Sequence, residues 1–126
     1  MNSSQYIVRF LCSFFEIFRA YIVEIKVYTN RADGKIIFDD GEKQKFVWHF
    51  SDSNYIMKSI LLLDILLQKR WIHNDQIITS KQELINFLKL EYWEESEIIK
   101  VIDYTCNIQI FMIDEGEETD SFFIHF

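Results

Sequence analysis

The stretch that decides the fold is residues 6–28, YIVRFLCSFFEIFRAYIVEIKVY, where the spacing of the apolar residues changes from helical to extended. In its first half these residues recur at intervals of three and four, which predicts a helix. Arg9, Ser13 and Glu16 form its narrow polar stripe. Because the apolar face is wide, we expect the helix to be buried within the chain or against a second copy in a homodimer.

The second half of this stretch predicts the first of three strands. Val23, Ile25 and Val27 alternate with Glu24 and Lys26, as in a half-buried strand. Two further strands are predicted at residues 35–39 and 45–50, after turns at Asp33-Gly34 and Asp40-Gly41. Together they predict a three-stranded antiparallel meander, with the first helix packed on its apolar face.

The remainder of the chain predicts three more helices and a C-terminal hairpin. The predicted elements are helices at 55–69, 80–90 and 94–104, a short strand at 76–78 after an Asn74-Asp75 turn, and strands at 107–113 and 121–126 joined by an acidic loop at 114–120. The predicted N-caps are Ser3 or Ser4, then Ser51, Asp52 or Ser53, and then a capping box from Ser80 to Glu83. With no proline and only three glycines, nothing resembles a linker. The prediction is a single α+β domain over residues 1–126.

The excess negative charge lies in one part of the chain, whose formal net charge is −7. Residues 1–75 hold ten lysines and arginines against nine acids, whereas residues 76–126 hold three against eleven. The first acidic cluster is Glu91, Glu94, Glu95 and Glu97, and the second is Asp114, Glu115, Glu117, Glu118 and Asp120. Such fields of one sign attract a cationic partner, and Tyr92 and Trp93 inside the first cluster are candidate anchors. The alternative is a solubilising surface with both aromatics serving only for packing.

The order of elements after residue 55 resembles a winged helix-turn-helix. Residues 94–104 take the place of the recognition helix, and residues 114–120 take the place of the wing tip. A DNA-binding surface presents lysine and arginine to phosphates, but these two places carry the acidic clusters. Nucleic-acid binding is therefore the alternative function. It needs a basic surface elsewhere, for which the candidates are Arg31, Lys35, Lys43 and Lys45.

Residues suited to catalysis or metal binding are few. His49, His73 and His125 are far apart and show no metal-ligand spacing, and we expect His49 and His125 to be satisfied structural histidines. A calcium site at 114–120 lacks the twelve-residue pattern of a calcium-binding loop. We therefore predict a non-enzymatic protein with no metal and no cofactor.

Three other side chains have simple interpretations. Cys12 and Cys106 have apolar neighbours and are predicted to be small buried residues. Asp64 is the one carboxylate in the apolar second helix. We expect it to face solvent or to pair with a lysine such as Lys58, with general acid–base catalysis as the alternative.

The apolar N-terminal stretch does not predict a membrane segment. Arg9, Glu16 and Arg19 interrupt it, and ionised groups are costly in the middle of a bilayer. No basic segment precedes it, and no small-residue cleavage pattern follows. We expect a cytoplasmic protein without a membrane partner.

In size, acidity and richness in isoleucine, lysine, asparagine and phenylalanine, the chain resembles bacterial immunity proteins. These small partners neutralise toxin domains, often nucleases, in contact-dependent inhibition or polymorphic toxin systems. The resemblance is one of type, without a shared motif, so it assigns no residue a role. It implies occlusion of a cationic toxin surface without catalysis. The predicted partner is a basic protein rather than nucleic acid, and the predicted contact residues are the two acidic clusters with Tyr92 and Trp93.

Overall fold

The computed structural model describes residues 3–50 and 54–126, and these residues form the predicted α+β architecture. The elements are α1 (Ser3–Ile17), β1 (Ala20–Val27), β2 (Arg31–Phe38), β3 (Lys43–His49), α2 (Ile56–Lys69), β4 (Ile72–His73), β5 (Gln76–Ile77), α3 (Lys81–Leu90), α4 (Glu95–Asn107), β6 (Ile110–Asp114) and β7 (Glu117–Phe122). Five strands pair in the antiparallel order β1-β2-β3-β6-β7, and β4 and β5 form a separate hairpin. The C-terminal hairpin therefore extends the N-terminal meander into one sheet.

Helix α1 lies between one face of the sheet and α2. The Phe10 ring is 5.0 Å from that of Trp48, and the Phe15 ring is 4.7 Å from that of Phe46, measured between centroids. On its opposite side α1 packs on α2, where Ser13 Oγ donates a hydrogen bond to Asp64 at 3.4 Å. The wide apolar face predicted for α1 is therefore buried inside the chain itself.

The helix starts show which of the predicted caps can be assigned. Ser80 Oγ accepts a hydrogen bond from the Glu83 backbone N–H at 3.1 Å, which confirms the predicted cap of α3. In α2 the N-cap position is Tyr55, without a side-chain cap. The predicted caps at 51–53 lie outside the described residues, as does the Ser3 side chain, whereas Ser4 is already inside α1.

The meander contains a β-bulge that the apolar alternation does not reveal. The register between β1 and β2 shifts between Ile22 and Glu24, so Val23 is 57% exposed rather than inward-facing as predicted. The bulge brings the Glu24 carbonyl against Gly34, where a Cβ would lie 2.0 Å from the oxygen. The turn predicted at Asp33-Gly34 is therefore wrong. Both residues lie inside β2, and glycine is required there by the close approach of the two strands.

The C-terminal hairpin is tighter than the predicted loop at 114–120. Strand β6 ends at Asp114 and β7 begins at Glu117, so the turn is Glu115-Gly116 alone. Both turn residues have positive φ, 53° and 82°, as a type I′ hairpin turn requires. The predicted loop is wrong, because the run of acidic residues is typical of a loop but here contains the ends of two strands and a two-residue turn. The turn predicted at Asp40-Gly41 is confirmed, with Gly41 at φ 89°.

The second half keeps the predicted order of helices followed by a hairpin, with the short β4–β5 hairpin between α2 and α3. The predicted turn at Asn74-Asp75 joins β4 to β5, and Asn74 has a φ of 52°. The hairpin that resembles a wing is held in the large sheet, because β6 pairs with β3 from Lys45↔Ile113 to Val47↔Phe111. The second half is thus joined to the meander rather than standing as a separate unit.

Candidate functional site

The second acidic cluster surrounds the β6–β7 turn, and all five of its carboxylates are exposed. Asp114 and Glu117 stand directly opposite each other across the hairpin, which places two like charges side by side. Such pairs destabilise a hairpin unless a cation neutralises them. Within the described residues, only Glu118 of this cluster has a basic partner, His49 Nε2 at 2.5 Å. The turn therefore presents a largely unneutralised negative charge.

The first acidic cluster lies at the turn from α3 to α4. After the C-cap Glu91, Tyr92 adopts a φ of 67°, and its N–H donates to Lys89 O at 3.0 Å. The Trp93 N–H donates to Leu88 O, also at 3.0 Å. These two bonds are those of a Schellman motif, which ends a helix by a residue in the left-handed region. The turn holds the Tyr92 side chain almost free in solvent, with 96% of its surface exposed.

Cations partly neutralise the first acidic cluster. Lys89 Nζ lies 3.0 Å from Glu95, and Lys58 Nζ lies 3.9 Å from Glu97. Among the described residues, no lysine, arginine or histidine nitrogen lies within 4.0 Å of the Glu91 or Glu94 carboxylates. Glu95 also lies in the first turn of α4, where the positive end of the helix stabilises a carboxylate.

Beside this cluster, α2 and the end of α3 enclose a groove of about 410 Å³, which we call the helix groove. It is lined by Leu61, Asp64, Ile65, Gln68, Lys69, Phe87, Glu91 and Trp93. The α2 members recur at intervals of three and four, so they form one exposed stripe of that helix. Sequence reasoning identified Glu91 and Trp93 but missed the α2 stripe, because its apolar members resemble core residues.

A second groove, of about 470 Å³, lies on the sheet face opposite α1, and we call it the sheet groove. Its charged and titratable lining residues are Glu24, Lys26, Arg31, Asp33, Lys35, Lys45, His49 and Glu118. Three of the four basic residues predicted for a nucleic-acid surface are among them. Lys43, the fourth, lies two residues before Lys45 on β3 and therefore shares its face.

Two of the four lysines and arginines in the sheet groove already face an acid of the same protein. Arg31 Nε is 3.2 Å from Asp33, and Lys35 Nζ is 3.7 Å from Glu24. The pairing register explains this arrangement, because Glu24 stands opposite Lys35 across the β1–β2 ladder. The face is therefore a mixture of charges rather than a uniformly basic surface.

The structure does not join the two acidic clusters. The first cluster contributes Glu91 to the helix groove, and the second contributes Glu118 to the sheet groove. No hydrogen bond or ion pair between described residues links one cluster to the other. A partner that contacts both clusters must therefore cover two separate surfaces.

The histidine and Asp64 predictions have mixed outcomes. His49 has the expected polar partner in Glu118. The prediction for His125 is wrong, because no described residue bonds its buried Nδ1, although its backbone pairs with Asp75 and Ile77. Asp64 faces solvent in part, as predicted, with 45% of its side chain exposed, and it pairs with Arg9 at 3.8 Å and with Ser13 rather than with Lys58.

The thiols are poorly placed for nucleophilic chemistry. Cys12 is exposed, so its predicted burial is wrong, because it lies on the polar side of α1 one turn from Glu16. Cys106 is half-buried, and burial, with a smaller contribution from Asp103, raises its pKa to about 11. Partial burial and then Glu16 also raise the pKa of Cys12. Raised pKa values leave little thiolate at neutral pH.

Within residues 3–50 and 54–126, no group of three histidine, cysteine or acidic side chains is placed to hold a metal ion. Over the same residues, none of the helices combines the length and apolarity needed to cross a bilayer. Comparisons of the chain with protein-family models, with curated proteins and with solved structures gave no match.

Proposed function

We propose that this protein acts in the cytoplasm as a non-enzymatic binding protein that neutralises a basic toxin domain, such as a nuclease, by covering its cationic surface. The observation that carries the proposal is the placement of the excess carboxylates. Eight of the nine are exposed at or beside two turns, Glu97 is half-buried, and six of the nine have no cation within 4.0 Å among the described residues. Unneutralised like charges cost stability, and a cationic partner surface would remove that cost.

The geometry favours fast recognition of a basic surface. The type I′ turn fixes Glu115 at the tip of the second cluster, with Glu117 directly after the turn. Charges held in place before association lose little conformational freedom on binding, and fields of one sign steer the encounter. The proposal therefore predicts a tight complex whose association rate falls as salt is added.

The test is the association rate with a purified basic nuclease toxin domain encoded beside this chain, measured by stopped-flow fluorescence. We expect the double variant Glu115→Lys, Glu117→Lys to associate at least about tenfold more slowly at low salt, and to inhibit nuclease activity less, because the steering field is reversed locally. These two residues leave the His49–Glu118 pair in place.

The matched control reverses two exposed acids at the β2–β3 turn, Asp39→Lys and Glu42→Lys. The net charge change is the same, so any difference between the two variants reflects position. If both variants slow association equally, the second acidic cluster contributes only to overall charge. If the chain fails to inhibit the nuclease at equimolar concentration, the proposed function is wrong.

A second candidate function, nucleic-acid binding, is favoured by one observation. The sheet groove gathers Lys26, Arg31, Lys35 and Lys45 on one face of the sheet. Phosphates of a single strand could follow these cations, and such binding is strongest at low salt. A fluorescence anisotropy titration with a labelled single-stranded oligonucleotide at low salt tests it. Absence of binding, or binding that survives Lys43→Glu with Lys45→Glu, removes this candidate.

A further inference from the structure

Tyr92 occupies a position that the fold would ordinarily give to glycine. It is the residue after the C-cap of α3 and lies in the left-handed region, with a φ of 67°. For a residue with a Cβ this conformation costs about 1 kcal/mol relative to glycine. At 96% exposure the Tyr92 ring gains almost no packing in return. A strained residue that contributes nothing to the core is a reason to look for a functional role.

The helix groove next to this turn combines two aromatic rings with two carboxylates. Phe87 and Trp93 line it together with Asp64 and Glu91, and Tyr92 lies between the lining residues Glu91 and Trp93. The Phe87 ring is itself fixed by an edge-to-face contact with Trp71, with centroids 5.1 Å apart. Ring faces and carboxylates attract the same kind of ligand, a cation that can stack and donate a bidentate pair of hydrogen bonds.

The rings of the groove already attract ammonium groups of the same chain. Lys58 Nζ lies 4.8 Å from the Trp93 centroid, and Lys69 Nζ lies 5.1 Å from the Phe87 centroid. The Arg9 guanidinium is 3.8 Å from Asp64. These contacts are long and between half-exposed groups, so each is worth little and can be exchanged. A cation from a partner would be desolvated on docking and held more strongly.

We propose that the helix groove, with Tyr92 beside it, binds an arginine side chain of the partner. A planar guanidinium can stack on Trp93 and contact the exposed Tyr92 ring while its N–H groups donate to the Glu91 and Asp64 carboxylates. The lysine ammonium is a strongly hydrated point charge and fits this combination less well. The inference deepens the proposed function, and it rests on that function for the nature of the partner as a basic protein.

The test uses two end-blocked tripeptides, Gly-Arg-Gly and Gly-Lys-Gly, added to nitrogen-15-labelled protein. The chain has three tryptophans, so the three indole N–H signals can be followed separately. We expect the arginine peptide to shift the Trp93 indole signal with a millimolar Kd, and the lysine peptide to bind at least about fivefold more weakly. The Trp48 indole, buried between β3 and α1, serves as the internal reference.

Two variants distinguish a specific arginine-binding site from general attraction between charges. Glu91→Gln should weaken arginine binding at least about threefold, whereas Glu115→Gln, which removes the same charge on the β6–β7 turn, should leave it unchanged. Tyr92→Gly should also weaken binding. Because glycine relieves the left-handed strain, this variant should at the same time raise the melting temperature by about 3 °C.

Several results would overturn the inference. They are an unshifted Trp93 indole, equal affinities for the two peptides, equal losses in Glu91→Gln and Glu115→Gln, or unchanged peptide affinity in Tyr92→Gly. The assay contains no toxin, so it is independent of the inhibition test above. If the chain binds the arginine peptide but inhibits no basic nuclease, the arginine site is supported and the proposed function is wrong. If the chain inhibits the nuclease but does not bind the arginine peptide, the arginine site is wrong and the second acidic cluster is the docking surface.

Discussion

Replacing Gly34 by alanine tests whether the β-bulge in β1 depends on the close approach of two backbones. An alanine Cβ would lie 2.0 Å from the Glu24 carbonyl oxygen, whereas Cβ contacts under 3.0 Å essentially do not occur. The strands must therefore separate by about 1 Å, enough to break neighbouring inter-strand hydrogen bonds. Losing about three of them at about 1 kcal/mol each, less a gain of about 0.5 kcal/mol from the stiffer unfolded chain, predicts about 2.5 kcal/mol of destabilisation.

The measurement is urea denaturation followed by far-ultraviolet circular dichroism, with a melting-temperature decrease of about 10 °C as the thermal counterpart. Gly41→Ala is the matched control, because Gly41 has a φ of 89° and no atom within 4 Å of the added Cβ. That variant should cost only about 1 kcal/mol, the price of the left-handed conformation. If Gly34→Ala is no more destabilising than Gly41→Ala, the account of the bulge is wrong.

Three further predictions concern single side chains. Ser59→Ala should cost about 1–2 kcal/mol in the same denaturation assay, because Ser59 and Thr105 share a buried hydroxyl pair at 2.5 Å. Ser80→Ala should cost about 1 kcal/mol through loss of the α3 cap, and a cost near zero would contradict the assigned bond. At pH 8 only about a thousandth of Cys106 is thiolate, since its pKa is raised to about 11. Iodoacetamide should therefore modify the exposed Cys12 first, as peptide mass spectrometry can show, and faster labelling of Cys106 would contradict the assignment.

Much of the fold follows from local sequence patterns. The change of period within residues 6–28 predicts both α1 and β1, and the capping box predicts the start of α3. These signals succeed because each element satisfies its own hydrogen bonds and buries its own face. The combined α+β arrangement could therefore be predicted before any tertiary contact was known.

Two of the errors in the fold prediction occur where a neighbouring strand decides the local conformation. Asp33-Gly34 has the composition of a turn, but its glycine leaves room for the backbone of Glu24, ten positions upstream. The position of Val23 depends on the same bulge, which a single strand's alternation cannot reveal. Both misassignments therefore have one tertiary cause.

The surfaces were predictable only in part. The exposure of the acidic clusters follows from composition, since runs of charge rarely enter a core. The basic residues of β2 and β3 in the sheet groove were predicted, but the groove itself could not be, because it unites them with residues of β1 and the C-terminal hairpin that only strand pairing brings together. The helix groove could not be predicted either, since Leu61 and Ile65 are apolar residues of the kind expected in the core.

The sheet order has a consequence for how the protein is made. Strand β3 pairs with β6, which follows all three helices of the second half in the sequence. The Gln44 side chain donates a hydrogen bond to the Ile113 carbonyl, 69 positions later in the chain. During synthesis at about 5–20 residues per second, the meander therefore emerges several seconds before the strand that covers its edge. An uncovered edge is a template for pairing with other chains. We expect nascent chains stalled before β6 to associate with one another through β3, an edge that is covered once β6 and β7 have been synthesised.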